Sequence, residues 1–389
     1  MSGNLGELVI VEPGPSQSPF FQFEPERSNQ MQGGACIGTK AYDVTGVRWN
    51  FRLIENHAEH DEHHPTTDPT THSMALANSP APDAIASKFC GLDFYSPIVL
   101  LSGCVGFGEE YTRVSGFSNA DVGAIVLKGT TREPRLGNSP HRIYETPMGM
   151  LNAIGLQNPG AEKVVDEILP TLDFSETRFI ANVCGSTIED YAAVTRRFDD
   201  SPIDAIEINI SCPNIKEGGV QFGNYPEMSA AVVAACRKAT KKPIIAKLSP
   251  NQTDIRENAR LCIEAGSDAL AVINTITGMA IDIESRTPVI GNIQGGLSGP
   301  AIRPIALLKV HQVYEVARRN AIPIIGQGGI HTAGDALEFI IAGASAVGIG
   351  TALFYDPLLC PRINDGIRAY LRRKEVASIT ELVGTLKID

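Results

Sequence analysis

Pro323–Thr351 reads PIIGQGGIHTAGDALEFIIAGASAVGIGT. A short apolar run, Pro323–Gly326, leads into the pair Gly328-Gly329. The amphipathic segment Ala333–Ala342 follows, and then a second apolar run, Ala346–Gly350, ends on Thr351. Neither run alternates polar with apolar residues, so each reads as a strand covered on both faces, the pattern of a parallel sheet under helices. Working outward, the same unit recurs upstream. Ile98–Leu101, Ala124–Lys128, Phe179–Cys184, Ala205–Ile210, Ile244–Leu248 and Ala269–Asn274 are further β-branched runs. Ile188–Phe198, Glu227–Thr240, Asp254–Ala265 and Pro304–Arg319 have helical spacing between them. Eight such strands predict an α/β fold of the (β/α)₈ TIM-barrel type. A doubly wound open sheet is the alternative. It would normally start on a G-x-G-x-x-G turn, and none follows the first strand.

Residues 1–88 differ in texture. They are rich in Pro, Ser, Thr, His, Glu and Asn, and they read as a partly disordered extension ahead of a barrel domain at 89–389. Within them Ala41–Ile54 carries enough apolar residues for a strand. His57–His72 holds five of the eight histidines, and helical spacing would align His57, His60 and His64 as a chelating face. The plainer reading is a polar linker, because Pro65, Pro69, Pro80 and Pro82 follow.

The chain of 389 residues carries a net charge of −11, which argues against a nucleic-acid binder. The longest apolar runs are far too short to span a bilayer, so no membrane association is expected. The start lacks the basic and apolar regions of a signal peptide, which leaves a cytoplasmic protein as the expectation. None of the eight cysteines forms a CxxC pair. A structural zinc or an iron–sulfur cluster in this chain is not expected, and no metal site is assigned.

In a (β/α)₈ barrel the C-terminal strand ends share one face and build the active site. Here those ends carry Lys128, Asn182, Asn209, Lys247, Asn274, Gly328-Gly329 and Gly350-Thr351. A half-buried lysine is costly without an anionic partner, so two of them suggest anionic ligands rather than scaffolding. Glycines after the seventh and eighth strands let backbone N–H groups approach a phosphate, and the loop containing Gly299 lies just upstream. Most cysteines here read as small core hydrophobes. Cys212 differs, since Glu207–Asn214 (EINISCPN) puts it directly after a strand and ahead of the glycines Gly218, Gly219 and Gly223, a candidate lid. A modestly acidified thiol is a competent proton acceptor.

Together these residues resemble the class 1 dihydroorotate dehydrogenases over about residues 90–375. Asn209–Asn214 resembles that family's catalytic signature, which implies Cys212 as base; serine at that position marks the membrane-linked class 2. Thr146–Gly160 (TPMGMLNAIGLQNPG) resembles the substrate loop. The resemblance implies FMN as cofactor, held by Ser102, Gly103, Lys128, Gly129, Asn182, Asn209, Lys247, Ile273, Gly299, Gly328, Gly329, Gly350 and Thr351. It implies dihydroorotate bound by Lys128, Asn152, Ala153, Ile154, Gly155, Leu156, Asn209, Asn214, Asn274 and Thr275. Lys247 would stabilise charge on the flavin. The wording Leu156–Gly160 and Cys212–Gly219 is similar to the NAD-linked subclass 1B. That subclass implies a barrel homodimer joined in a heterotetramer to a subunit carrying FAD and a [2Fe–2S] cluster. Two features depart from the pattern: the long extension, and Leu101-Ser-Gly-Cys-Val105 where Ala-Ser-Gly-Thr-Phe is usual. Two rivals are the pyrimidine-reducing barrel of a dihydropyrimidine dehydrogenase, which has histidine at the position of Asn214, and a retired barrel kept as a scaffold.

Overall fold

The computed structural model describes residues 83–108, 113–210 and 222–388. Ala41–Ile54, the histidines of 57–72, Cys212, Asn214 and Gly218-Gly219 lie outside the described residues. The eight apolar runs form parallel strands: β1 (Ile98–Leu100), β2 (Ala124–Val126), β3 (Arg178–Val183), β4 (Ala205–Ile208), β5 (Ile244–Leu248), β6 (Ala269–Val272), β7 (Ile324–Gln327) and β8 (Ala346–Ile349). Each pairs with its neighbours in sequence, and β8 closes on β1. The open doubly wound sheet is thereby excluded.

The helices cover the outside in the expected places: α1 (Ile188–Asp199), α2 (Pro226–Ala239), α3 (Ile255–Glu264), α4 (Arg303–Ala317) and α5 (Ala333–Ala342). Their starts are chemically marked. Thr187 and Thr332 each cap a helix and accept from the N–H three residues on, in reciprocal boxes with Asp190 and Asp335. A further helix, α6 (Leu359–Lys374), buries Ile363, Ile367 and Leu371 on one face, and the sequence reading had not singled it out.

Two additions position the site. A hairpin, Ser87–Phe89 with Leu92–Phe94, closes the N-terminal end of the barrel. Phe89 and Phe94 stack at 5.2 Å and pack with Val99, Ala124, Ile180, Ile245, Ile325 and Ala346 inside it. This strand crosses residue 88, and Ile85 ahead of it is fully buried. At the opposite end lies a four-stranded antiparallel sheet of Ile143–Thr146, Gly149–Asn152, Gly295–Ser298 and Ile276–Gly278.

Candidate active site

Side chains alternate in and out along a strand. In β3, β4, β5 and β7 the residue two places beyond a floor-level apolar residue is polar: Ile180 to Asn182, Ala205 to Glu207, Ile245 to Lys247, Ile325 to Gln327. The barrel interior is therefore an apolar layer beneath a polar one. Above the polar layer opens a cavity of about 650 Å³. All eight strand ends reach it, through Ser102, Lys128, Asn182, Asn209, Lys247, Asn274, Gly328 and Gly350.

The polar layer is continuous. Lys247 Nζ stands 3.4 Å from Glu207 Oε1, and the two side chains are 7% and 0% exposed. Asn182 Nδ2 donates to the same oxygen at 2.5 Å. Asn209 Nδ2 donates to Asn182 Oδ1 at 3.4 Å, and Asn274 Nδ2 to Asn209 Oδ1 at 3.3 Å. Tyr191 of α1 fixes the main chain at Asn209, donating to its carbonyl at 2.9 Å. Gln327 Nε2 donates to Ile273 O at 2.9 Å, while its buried Oε1 finds no acceptor role among the described residues.

Lys128, at the end of β2, is also buried. Both lysines act on Cys104, which lines the cavity. Burial pushes that thiol up to about 11, with Lys128 and Lys247 pulling the other way. Two cations thus face one concave space, a setting for anionic ligands.

The mouth sheet and its loop supply the opposite wall. Asn152 is held by its Nδ2 donating to Gly296 O at 3.2 Å. The turn at Gly155 and Leu156 runs through the left-handed region, at φ 77° and 56°. A Cβ on Gly155 would lie 2.6 Å from Asn138 N. Asn158 fastens this loop to the end of β2: its Nδ2 donates to Thr131 Oγ1 at 2.8 Å and its Oδ1 accepts from Thr131 N at 3.2 Å. At the seventh and eighth strand ends, Thr351 Oγ1 donates to Ser298 Oγ at 2.8 Å, joining the Gly350-Thr351 turn to the mouth sheet beside Gly299.

Of the residues singled out from sequence, Ser102, Gly103, Lys128, Gly129, Asn152, Ile154, Gly155, Leu156, Asn182, Asn209, Lys247, Ile273, Asn274, Thr275, Gly299, Gly328, Gly329, Gly350 and Thr351 all line the cavity. Ala153 does not. Its side chain is buried and its N–H bonds Arg142 O at 2.7 Å, as expected of the residue between two that face the cavity. Sequence reading gave no role to Glu207 or Gln327, although a carboxylate amid Ala205–Ile210 and an amide in a buried strand were visible signals. Nor did it single out His331, which lines the cavity with Nδ1 at 3.1 Å from Asp335 Oδ2.

The sequence profile of the family described as "Dihydroorotate dehydrogenase" matches residues 84–371. The chain belongs to the dihydroorotate dehydrogenase family. Among relatives in this dehydrogenase family, "Dihydroorotate dehydrogenase B (NAD(+)), catalytic subunit" of Pelobacter propionicus is 50% identical over 301 residues, covering 77% of this chain and 97% of that protein. The protein of the same description from Geobacillus kaustophilus is 48% identical over 301 residues, covering 77% and 95%. A crystal structure of the Eimeria tenella dihydroorotate dehydrogenase in complex with ferulenol superposes with a TM-score of 0.65 at 22% identity, over 80% of this chain and 91% of that one. That likeness bears on the fold, and it agrees with the closed barrel.

Proposed function

We propose that this chain is the FMN-dependent catalytic subunit that oxidises (S)-dihydroorotate to orotate in pyrimidine biosynthesis. The observation that carries the reading is the polar layer, in which Lys247, Glu207, Asn182, Asn209 and Asn274 meet at the mouth of a family barrel. The residues present fit FMN. A cavity of about 650 Å³ lies within the roughly 300–1,000 Å³ usual for such ligands. Glycine is required around it: a Cβ on Gly348 would sit 2.6 Å from Leu101 and 2.7 Å from Gln327, and one on Gly129 would sit 2.9 Å from Asn182 Oδ1. Buried Gln327 Oε1 offers an acceptor, and Lys247 a cation. Gly299, Gly328, Gly329, Gly350 and Thr351 would hold the phosphate. Ser102, Gly103, Lys128, Gly129, Asn182, Asn209, Lys247 and Ile273 would hold the rest.

FMN, when bound, would supply the two-electron acceptor for the hydride at C6 of the substrate. The protein's share is positioning and proton removal. Asn152, Asn209, Asn214, Asn274 and Thr275 offer paired donors and acceptors to a flat pyrimidine. The main chain at Ile154, Gly155 and Leu156 lies along the same wall. Lys128 faces the substrate carboxylate, and Cys212 takes the C5 proton, an assignment that rests on the motif Asn209–Asn214.

The electron acceptor is NAD⁺, reached through a separate subunit carrying FAD and a [2Fe–2S] cluster. The barrel pairs as a homodimer and joins that subunit in a heterotetramer in the cytoplasm. No helix among the described residues is long and apolar enough to cross a membrane. Purified full-length chain should be yellow and reduce an artificial dye with dihydroorotate. It should reduce NAD⁺ only when co-expressed with the FAD and iron–sulfur subunit. A colourless protein inert toward dihydroorotate with every dye would overturn the proposal, and direct NAD⁺ reduction by this chain alone would overturn the partner assignment.

A further inference from the structure

Glu207 is a carboxylate with no exposed surface, held between Ile206 and Ile208 in a strand of the barrel. Burying an ionised carboxylate is costly, and packing does not require one here. Its inventory of contacts is specific. Oε1 accepts from Asn182 at 2.5 Å and stands 3.4 Å from the Lys247 ammonium, while Oε2 has no hydrogen-bond partner among the described residues. An ammonium has three donors, and Glu207 engages one of them at the long end of the range. The lysine is therefore steered without being consumed, and it still lines the cavity. Asn182, which also lines the cavity, orients Glu207 from the neighbouring strand, with the two residues in direct register.

We propose that Glu207 is a positioning residue, which fixes the Lys247 ammonium at the cavity wall and offsets part of the positive charge that it brings to the cofactor. This rests on the FMN reading above. Charge beside a flavin tunes how readily it accepts electrons and anions. Removing the carboxylate removes a negative charge from a low-dielectric site, so any anion meeting the flavin there should be held more tightly.

The test uses the full-length holoenzyme and two readouts independent of turnover: the flavin midpoint potential, and the dissociation constant of sulfite, followed by bleaching of the flavin absorbance. Wild-type protein is measured first. If it carries no flavin, the functional reading fails and not merely this inference. In flavin-loaded Glu207→Gln the potential should move in the positive direction and sulfite should bind about tenfold more tightly. Glu207→Asp keeps the charge but withdraws it from Lys247 by one methylene. It should move both readouts the same way by a smaller step, and it serves if the glutamine variant yields no soluble protein. An unshifted midpoint potential together with a sulfite affinity within twofold of wild type, in whichever of the two variants is recovered, would overturn the role.

Discussion

Replacing Lys247 with alanine should unfold the barrel earlier as well as silence it. The Lys247 side chain is 7% exposed and that of its counter-ion Glu207 0% exposed, so deletion of the lysine strands a buried carboxylate. Breaking a buried ion pair from one side costs about 3–5 kcal/mol, mostly the penalty for the orphaned charge. For a domain of this size each kcal/mol lowers Tm by roughly 2 °C, which gives a drop of roughly 6–10 °C. Bound cofactor raises Tm by mass action, so the comparison requires apoproteins prepared alike. The double variant Lys247→Met with Glu207→Gln removes both charges and should regain more than half of the lost Tm. It should still fail to reduce dye with dihydroorotate, because the cation remains absent. A single variant that melts within 2 °C of wild type would refute the reasoning. So would a double variant no more stable than the single one, since the loss would then come from packing and not from an uncompensated charge.

Cys212→Ala should keep its flavin yet lose about 10²–10⁴ in dihydroorotate turnover, the usual share of a general base; near-normal turnover at neutral pH would remove Cys212 from the mechanism. A chain starting at residue 90 lacks Ile85 and Phe89, both fully buried, and should be at least about 5 kcal/mol less stable in urea than one starting at residue 83. Equal midpoints for the two would show that the hairpin floor adds nothing. Because burial holds Cys104 near 11, only about one thiol in a thousand is ionised at pH 8. Its labelling by iodoacetamide, read by mass spectrometry, should climb about tenfold per pH unit from 8 to 10, and a rate flat with pH would contradict the assigned shift.

The barrel was legible because its strands are continuous apolar runs and helices such as Ile188–Asp199 and Ile255–Glu264 are amphipathic. The helix read at Ala333–Ala342 has those bounds in the structure, and the strand at Ile244–Leu248 does too. The mouth sheet was not legible. Its strands are only three or four residues long, and the pairing at its centre joins residues more than 140 positions apart, as Asn152 is with Gly296. No local period marks such pairing. Strand-end position brought Lys128, Asn182, Asn209, Lys247, Asn274, Gly328, Gly329, Gly350 and Thr351 to the cavity, because it follows from fold alone, whereas Ser102, Asn152 and the turn at Gly155 came from the family resemblance. Glu207 and Gln327 were passed over for the opposite reason. They lie one pleat inside the strand, where a sequence shows only a polar residue in an apolar run and not the partner that makes burial tolerable.

The polar layer also bears on how the chain finds its register. A parallel strand that slips by one residue turns every side chain to the other face. Such a slip in β4 or β5 would drive Glu207 or Lys247 out of the barrel interior and under the apolar faces of helices, where neither charge meets the other. Apolar floor residues alone would discriminate weakly, because isoleucine and alanine are acceptable on both faces of a covered strand. The charges that serve the cavity would therefore also disfavour a slipped register. Mis-registered closures pay for two unmatched ions, and the native stagger is the arrangement in which each ion meets its counterpart.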